Sequence, residues 1–484
     1  MTTILALSYR HSLSSPCKPR LGWSSTAILQ STIYNNNHSN RYGSSKRYVS
    51  STIIFTAIDR SPSIPMGTIK SNKIGKLRVP LLKSPSHLGH FTSRMSRLYN
   101  EDKYSANVLT LQSETGERTL FNFNIFDGHG GEQCSTFLSQ HLSENIENCQ
   151  SLLDDKNLRN ELIKNYETNI GGYWKRWFRH KEENFKTMKN KDDNIKLSRF
   201  NNSEKNEKGE IINIDDDLRF RLPLTFLNTD YEFFNQDDNS AGSTCTSAII
   251  ETLYTEPGGE PKPVFENYYF NRKTISKLTI AHVGDTKAIL VDRNGLANAL
   301  TFEHHPSNPM EASRLRKYAA NMFMTDSFGE ERFISLANTR SFGDINFKQI
   351  GVSAEPDVIQ LIIGDVNTVH KMLTPDEIKD YTINGIGGDE SFLVLCTDGI
   401  TNFLTDQEIA DIVMVNFNMR GHQVANPQLC AEEIIKFVEY IGGDDNATCL
   451  VIRLNGWGKW PVLDRTGELR QSRMDDFNPR GRSG

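Results

Sequence analysis

FNIFDGHGGEQCS, residues 123–135, carries an apolar run into Asp127 and then places His129 among three glycines, Gly128, Gly130 and Gly131. The run extends back to residue 120 and has the length and apolar density of a buried strand. Past the glycines, Cys134, Phe137, Leu138 and Leu142 recur at the spacing of one helical face. The stretch therefore reads as strand, tight turn and helix, with a carboxylate and an imidazole set in the turn. Glycine suits such a turn because it enters positive φ without steric cost.

Runs of the same kind recur at 278–283, 287–292, 392–396 and 448–454. Gly284-Asp285-Thr286 is expected to turn a hairpin between 278 and 292, and Asn294-Gly295 another. Consecutive hairpins imply antiparallel sheet. Helix starts are marked by Thr405 with Glu408, by Thr374 with Pro375 and Glu377, and by Asn308-Pro309 ahead of MEASRLRKYAA. A mixed α+β fold follows, centred on sheet and covered by helices.

The net charge of −5 over 484 residues hides an asymmetry. The first 100 residues hold 14 Lys and Arg against Asp59 alone, whereas the rest hold 41 basic and 59 acidic residues. Up to Ala57 there is no acid, Ser, Thr and Asn abound, and Arg10, Arg20, Arg41 and Arg47 punctuate weakly apolar stretches. This is the composition of a mitochondrial transit peptide, expected over residues 1–50, with a disordered basic linker over 51–85. A nucleic-acid partner is not expected, since the acidic body offers no sustained positive surface. No window of about 18 apolar residues reads as a membrane-spanning helix.

From Ser86 the composition is that of a folded domain, with a lapse between about 154 and 217 into charged, Asn-rich sequence. That run has too little apolar surface to order itself and reads as a solvated insertion. Its GGYWKRWF stretch (171–178) reads as cover for a core edge. Residues 456–484 read as a C-terminal extension. The seven cysteines show no metal-ligand spacing and read as reduced thiols.

Four apolar runs each meet an aspartate beside glycine or in a polar turn: Asp127, Asp285, Asp398, and the pair Asp444 and Asp445. Any one of these alone is most simply a turn. Carboxylates converging from four strand ends would repel each other unless a cation neutralised them, and hard oxygen ligands select Mg²⁺ or Mn²⁺ over zinc. The HxxEH zinc signature fails because Gln133 follows Glu132, and no HExxH, GxxxxGK[ST] or GxSxG occurs. His129 has two readings of equal standing here, a turn histidine bonded to backbone or a proton donor beside an acidic metal cluster.

The ordered set RLYNED (97–102), FDGHGG (126–131), GSTC (242–245), HVGDTKAIL (282–290), EHHPSNPMEASRL (303–315), TRSFGD (339–344), CTDGI (396–400) and GGDDNAT (442–448) resembles the type 2C, PPM-type metal-dependent Ser/Thr protein phosphatases. The basic leader and the GGYWKRW stretch make it most similar to fungal mitochondrial members. The resemblance spans about residues 86–455 and implies a four-layer α-β-β-α sandwich, two antiparallel sheets flanked by helices, with two Mn²⁺ or Mg²⁺ ions at one end.

By that resemblance Asp127 bridges both ions, the Gly128 carbonyl, Asp398 and Asp445 complete the ligand set, and Glu101 and Asp102 hold bound waters. Arg97 clamps the substrate phosphate, a role that suits its planar fork. Four residues apart, Arg97 and Glu101 would share a face if carried on a strand. A hydroxide bridging the ions attacks phosphorus in line, and His129 protonates the departing Ser or Thr oxygen. Two departures stand out. Asn402 occupies the second acid of the family's DGxxD pattern, which with Asp285 would hold a weak third ion, and Glu303-His304-His305-Pro306 replaces DHKP. His304 and His305 are adjacent and point apart in extended chain, so neither is expected to bind metal. The implied partners are phosphorylated proteins, the expected state is a monomer, and the expected place is the mitochondrial matrix. The rival reading is a catalytically silent scaffold, which would be expected to have lost Asp127, Asp398 or Asp445.

Overall fold

The computed structural model describes residues 29–31, 52–57, 76–113, 116–171, 217–255, 268–319, 322–326, 329, 331–421 and 424–477. Ten strands in chain order build its two main sheets: β1 (Leu88–Ser93), β2 (Lys103–Ser113), β3 (Gly116–Phe126), β4 (Cys245–Thr255), β5 (Thr274–Val283), β6 (Lys287–Val291), β7 (Ala297–Ala299), β8 (Asp357–Gly364), β9 (Phe392–Cys396) and β10 (Ala447–Arg453). One sheet has the order β8-β5-β4-β3-β2 and the other β7-β6-β9-β10-β1, with every neighbouring pair antiparallel.

Side-chain alternation sorts the core into layers. Phe121, Phe123 and Ile125 of β3 point between the sheets, where they meet Leu290 of β6, Leu393 and Leu395 of β9 and Leu450 of β10. Leu120 and Phe126 point outward, with Leu109 and Leu111, against the helices α1 (Gln133–Asn148), α2 (Lys156–Asn169) and α3 (Leu218–Phe234). On the far side, Val394, Cys396 and Val451 face α5 (Asp406–Arg420) and α6 (Pro427–Tyr440). Between them in sequence, α4 (Pro309–Ala319) begins at Pro309 as expected. The result is the α-β-β-α sandwich. Asn122 and Asn124 interrupt the outward face of β3, and both are satisfied by Ser143 on α1, with Ser247 and Ser105 as further partners. That network fixes α1 on the sheet without leaving a buried polar atom unpaired there.

Both expected capping boxes form, Thr405 with Glu408 and Thr374 with Glu377. The hairpin at Asn294-Gly295 also forms, pairing Val291 with Ala297. The turn at Gly284-Asp285-Thr286 does not make a hairpin. β5 belongs to one sheet and β6 to the other, so these residues carry the chain across the sandwich. The reason is partner competition: β5 is already paired on both edges, by β4 and β8. The sequence shows a tight turn equally well in either case.

Three boundaries differ from expectation. Leu81 is buried in the inter-sheet core, and Lys76–Pro80 pairs with Thr52–Ala57, itself paired with Leu29–Ser31, so part of the expected linker is strand. The insertion starts later than residue 154, because Leu162, Ile163 and Tyr166 of α2 are buried against α3. Residues 172–216, including most of GGYWKRWF, lie outside the described residues, as does most of the leader. The tail is part of the domain: Trp457 and Trp460 stack edge-on with Phe392 and Phe417. A helix, α7 (Gly467–Asp476), then returns Arg473 to Glu408 at 2.7 Å. The two tryptophans supply the apolar area that the charged tail lacks. The six described cysteines are buried and form no disulfide, and no described helix is long and apolar enough to cross a membrane.

Candidate active site

The rim where β3, β9 and β10 begin or end, and where β5 hands over to β6, forms an open cleft of about 670 Å³. Asp127, Gly128, His129, Asp285, Asp398, Asp445, Glu101 and Arg97 all line it. Asp102 lies just behind the wall, its Oδ2 accepting from Thr397 at 3.0 Å and Thr448 at 2.7 Å and its buried Oδ1 without a partner. Asp445 is in the lining and Asp444 is not. Asn402 is outside the lining and donates to Asp398 at 3.3 Å.

Local structure explains how each group arrives. β3 ends at Phe126, and past Asp127 the residues Gly128–His129 pair with Gly242–Ser243, which pairs in turn with Phe342–Gly343. Gly128 is pressed against the neighbouring loop, since a Cβ there would lie 2.5 Å from the Glu101 carbonyl. Gly130 and Gly131 take positive φ, 70° and 126°, and swing the chain into α1. Asp398 opens a short helix directly after β9.

Arg97 and Glu101 are not on a strand. They sit in the loop between β1 and β2, turned by Met95 at φ 48°. The side chain of Asn446 organises that loop, accepting from Glu101 N at 2.8 Å and donating to the carbonyls of Tyr99 and Arg94. The Arg97 guanidinium donates to Asp445 Oδ2 at 2.7 Å.

Crowding sets the electrostatics. Burial, reinforced by Asp398, Asp102 and Asp285, pushes the Asp127 carboxyl well above the ordinary range. Burial also pushes Asp285 to about 7, with Asp398 adding and a hydrogen bond from Asn338 opposing. Burial takes Asp102 to about 7 as well, against the bonds from Thr448 and Thr397. Asp398 is raised by burial and by Asp445. Partial desolvation lowers His129, but the hydrogen bond and charge of Asp344, with Asp285 and Glu101, outweigh it and the net direction is up.

Among the described residues, no three Asp, Glu, His or Cys side chains stand close enough to cage an ion unaided. Asp127 and Asp398 share a side-chain hydrogen bond, and ions held among the carboxylates would complete their shells with water and backbone carbonyls, as Mg²⁺ commonly does. The donor set is hard oxygen throughout, and the orphaned Asp102 Oδ1 and the mutually raised carboxyls are what a cation would relieve. These residues fit Mg²⁺ or Mn²⁺.

Several site residues had no role in the sequence reading. Asn446, Asn338 and Asp344 lie inside the quoted motifs or next to one, and Thr244 lies inside GSTC, but nothing in their spacing marked them. His304 has both ring nitrogens engaged by protein groups. Its Nδ1 accepts from Gly284 N at 3.0 Å, its ring stacks on His282 at 4.9 Å, and its Nε2 meets Asp357 at 3.1 Å. It thereby holds the crossover that carries Asp285.

The family model described as "Protein phosphatase 2C" matches residues 178–384 and 380–447. "Protein phosphatase 2C homolog 4" of Schizosaccharomyces pombe is 33% identical over 416 residues, spanning 84% of this chain and 89% of its own length. "Protein phosphatase 1K, mitochondrial" of Xenopus laevis is 32% identical over 185 residues, 38% of this chain and 41% of its own. A solved structure entitled "Crystal structure of a phosphatase from a pathogenic strain Toxoplasma gondii" aligns over 84% of this chain and 94% of its own at 16% identity, with a TM-score of 0.45.

Proposed function

This chain belongs to the protein phosphatase 2C family and is a protein serine/threonine phosphatase; from that premise we propose that the cleft around Asp127 removes phosphate from phosphoserine and phosphothreonine with the help of two divalent ions. Metal dependence is general in the family. The observation that carries the two-ion reading is the gathering of Asp127, Asp285, Asp398 and Asp445 from four distant segments into one cleft with Arg97 and His129. Bound there, Mn²⁺ or Mg²⁺ would supply an activated water and neutralise phosphate charge.

The chain's own residues do the rest. Asp127, Asp398, Asp445 and the Gly128 carbonyl would hold the ions directly, and Glu101 and Asp102 through water. Asp285 stands ready for a further ion, with the neutral Asn402 weakening that position. Arg97, exposed over more than half of its side chain, would exchange Asp445 for two phosphate oxygens once a cation takes over that carboxylate. His129 would give a proton to the leaving Ser or Thr oxygen.

The direct test is phosphate release from a phosphothreonine peptide. Turnover is expected with Mn²⁺ or Mg²⁺, to vanish with a chelator, and to return on readdition of the ion; chelator-resistant turnover would sink the reading. Arg97→Ala is expected to raise KM for the peptide about 10- to 100-fold, the range for losing a charged hydrogen-bonding pair, with a smaller change in kcat. An unchanged KM would remove Arg97 from phosphate binding. A mitochondrial setting is supported by the acid-free, Arg-punctuated leader and by the name of the Xenopus relative. Imaging of the full chain fused at its C-terminus to a fluorescent reporter tests it.

A further inference from the structure

His129 is held by a residue that the fold brings from 215 positions away. Its Nε2 lies 2.8 Å from Asp344 Oδ2, and the same oxygen accepts from Ser341 Oγ at 2.5 Å. Asp344 is buried, sits in the left-handed region at φ 49°, and directly follows the Phe342–Gly343 bridge strand. Gly242 lies between the two side chains. A Cβ at 242 would stand 2.3 Å from His129 Nε2 and 2.5 Å from Asp344 Oδ2, so the pair occupies space that any other residue would fill.

The backbone behind the pair is anchored by a second buried pair. Asp230 accepts from Gly343 N at 2.8 Å and meets Lys348 Nζ at 2.9 Å, and Lys348 also donates to Ser341 O at 2.7 Å. Tyr166 of α2 donates to Asp230 Oδ2 at 2.6 Å. Two independent features thus converge on one contact: a glycine that leaves room for it and an ion pair that fixes its base.

We propose that Asp344 is the positioning residue of His129, accepting a hydrogen bond from Nε2–H and so assigning Nδ1 as the nitrogen that serves the leaving group. The inference rests on the reading of His129 as proton donor given above. As the P–O bond to the Ser or Thr oxygen breaks and water oxygen bonds to phosphorus, the Nδ1 proton passes to the departing oxygen. The ring is left neutral, with Nε2–H still on Asp344. A carboxylate in this place fixes ring orientation and tautomer.

The discriminating experiment compares a phosphothreonine peptide with p-nitrophenyl phosphate on the full chain with Mn²⁺. Nitrophenolate departs with little need of a proton, whereas an alkoxide needs one. Asp344→Asn is expected to lower kcat for the peptide by about 10- to 100-fold, with the loss at least about tenfold greater than for the aryl ester. The double variant with His129→Gln is expected to be no slower than His129→Gln alone. Equal losses on both substrates, or additive losses in the double variant, would reduce Asp344 to a structural residue and overturn the proposal. A peptide kcat unchanged by His129→Gln would instead remove the premise, a distinct failure. Nitrogen NMR of the wild type needs no variant to fold: a slowly exchanging proton on Nε2 of His129 is expected, and finding it on Nδ1 overturns the assignment.

Discussion

Asp127→Asn is expected to lower phosphate release by about 10⁴-fold, the scale of losing a metal-ion contribution of several kcal/mol, while making the ion-free protein more stable. The two effects have one cause. Asp127 lies among Asp398, Asp102 and Asp285, and its carboxyl is pushed well above the ordinary range by burial and then by those charges. A carboxyl whose folded pKa is raised holds its proton more tightly in the folded state. Its contribution is therefore fully present below the unfolded value near 4 and is lost as pH climbs through the folded one.

For Asp102 and Asp285 that loss runs from about 4 to about 7. At pH 8 the ion-free cleft thus concentrates negative charge that only a cation or a neutral substitution relieves. The variant is expected to exceed the wild type by roughly 1–3 kcal/mol at pH 8 with chelator present, and by much less at pH 4. Urea unfolding at the two pH values checks it. A variant less stable than wild type at pH 8 would mean that the carboxylates do not repel one another as their placement implies.

The second large effect concerns the scaffold under the site. Glu311 of α4, with only 2% of its side chain exposed, accepts from Arg340 Nη2 at 2.6 Å, from Arg314 Nη2 at 2.7 Å and from Thr339 Oγ1 at 2.6 Å. The two arginines hold its carboxyl far below the usual range. Arg340 extends the network to Asp357 at 2.8 Å, and Asp357 to His304. Glu311→Ala would leave two guanidinium groups short of their shared anion, which typically costs about 3–5 kcal/mol. Turnover is expected to fall as well, because Thr339 and Arg340 lie between Asn338, on Asp285, and Asp344, on His129. A loss below about 1 kcal/mol would show that solvent replaces the carboxylate, and would detach this network from the stability of the cleft.

Much of the layer architecture was legible because it follows from local pattern. The runs at 120–126, 392–396 and 448–454 alternate or fill with apolar residues, and the strands they predict line both faces of the sandwich. Capping boxes at Thr405 and Thr374 and the helix start at Pro309 depend on residues within three positions of one another. The carboxylates at strand ends could be read as candidates for the same reason, since each sits beside its own strand.

What was misread depended on partners far away in sequence. A glycine-aspartate turn cannot announce whether the next strand stays in its sheet, and at 284–286 the edges of β5 were already occupied. Arg97 and Glu101 share the cleft through a loop tied by Asn446, some 345 residues later, and not through a common strand face. The tail, residues 456–484, reads as a C-terminal extension until Trp457 and Trp460 find Phe392 and Phe417.

Residue types and local periodicity alone determined that this chain builds strands ending in carboxylates, because hydrophobic period and turn chemistry act over a few residues. Tertiary structure alone decided that Asp344 meets His129 and that Gly242 keeps the gap between them open. Those outcomes are set by the packing of segments more than 100 residues apart, and hydrogen-bond geometry of that kind leaves no periodic trace in the sequence.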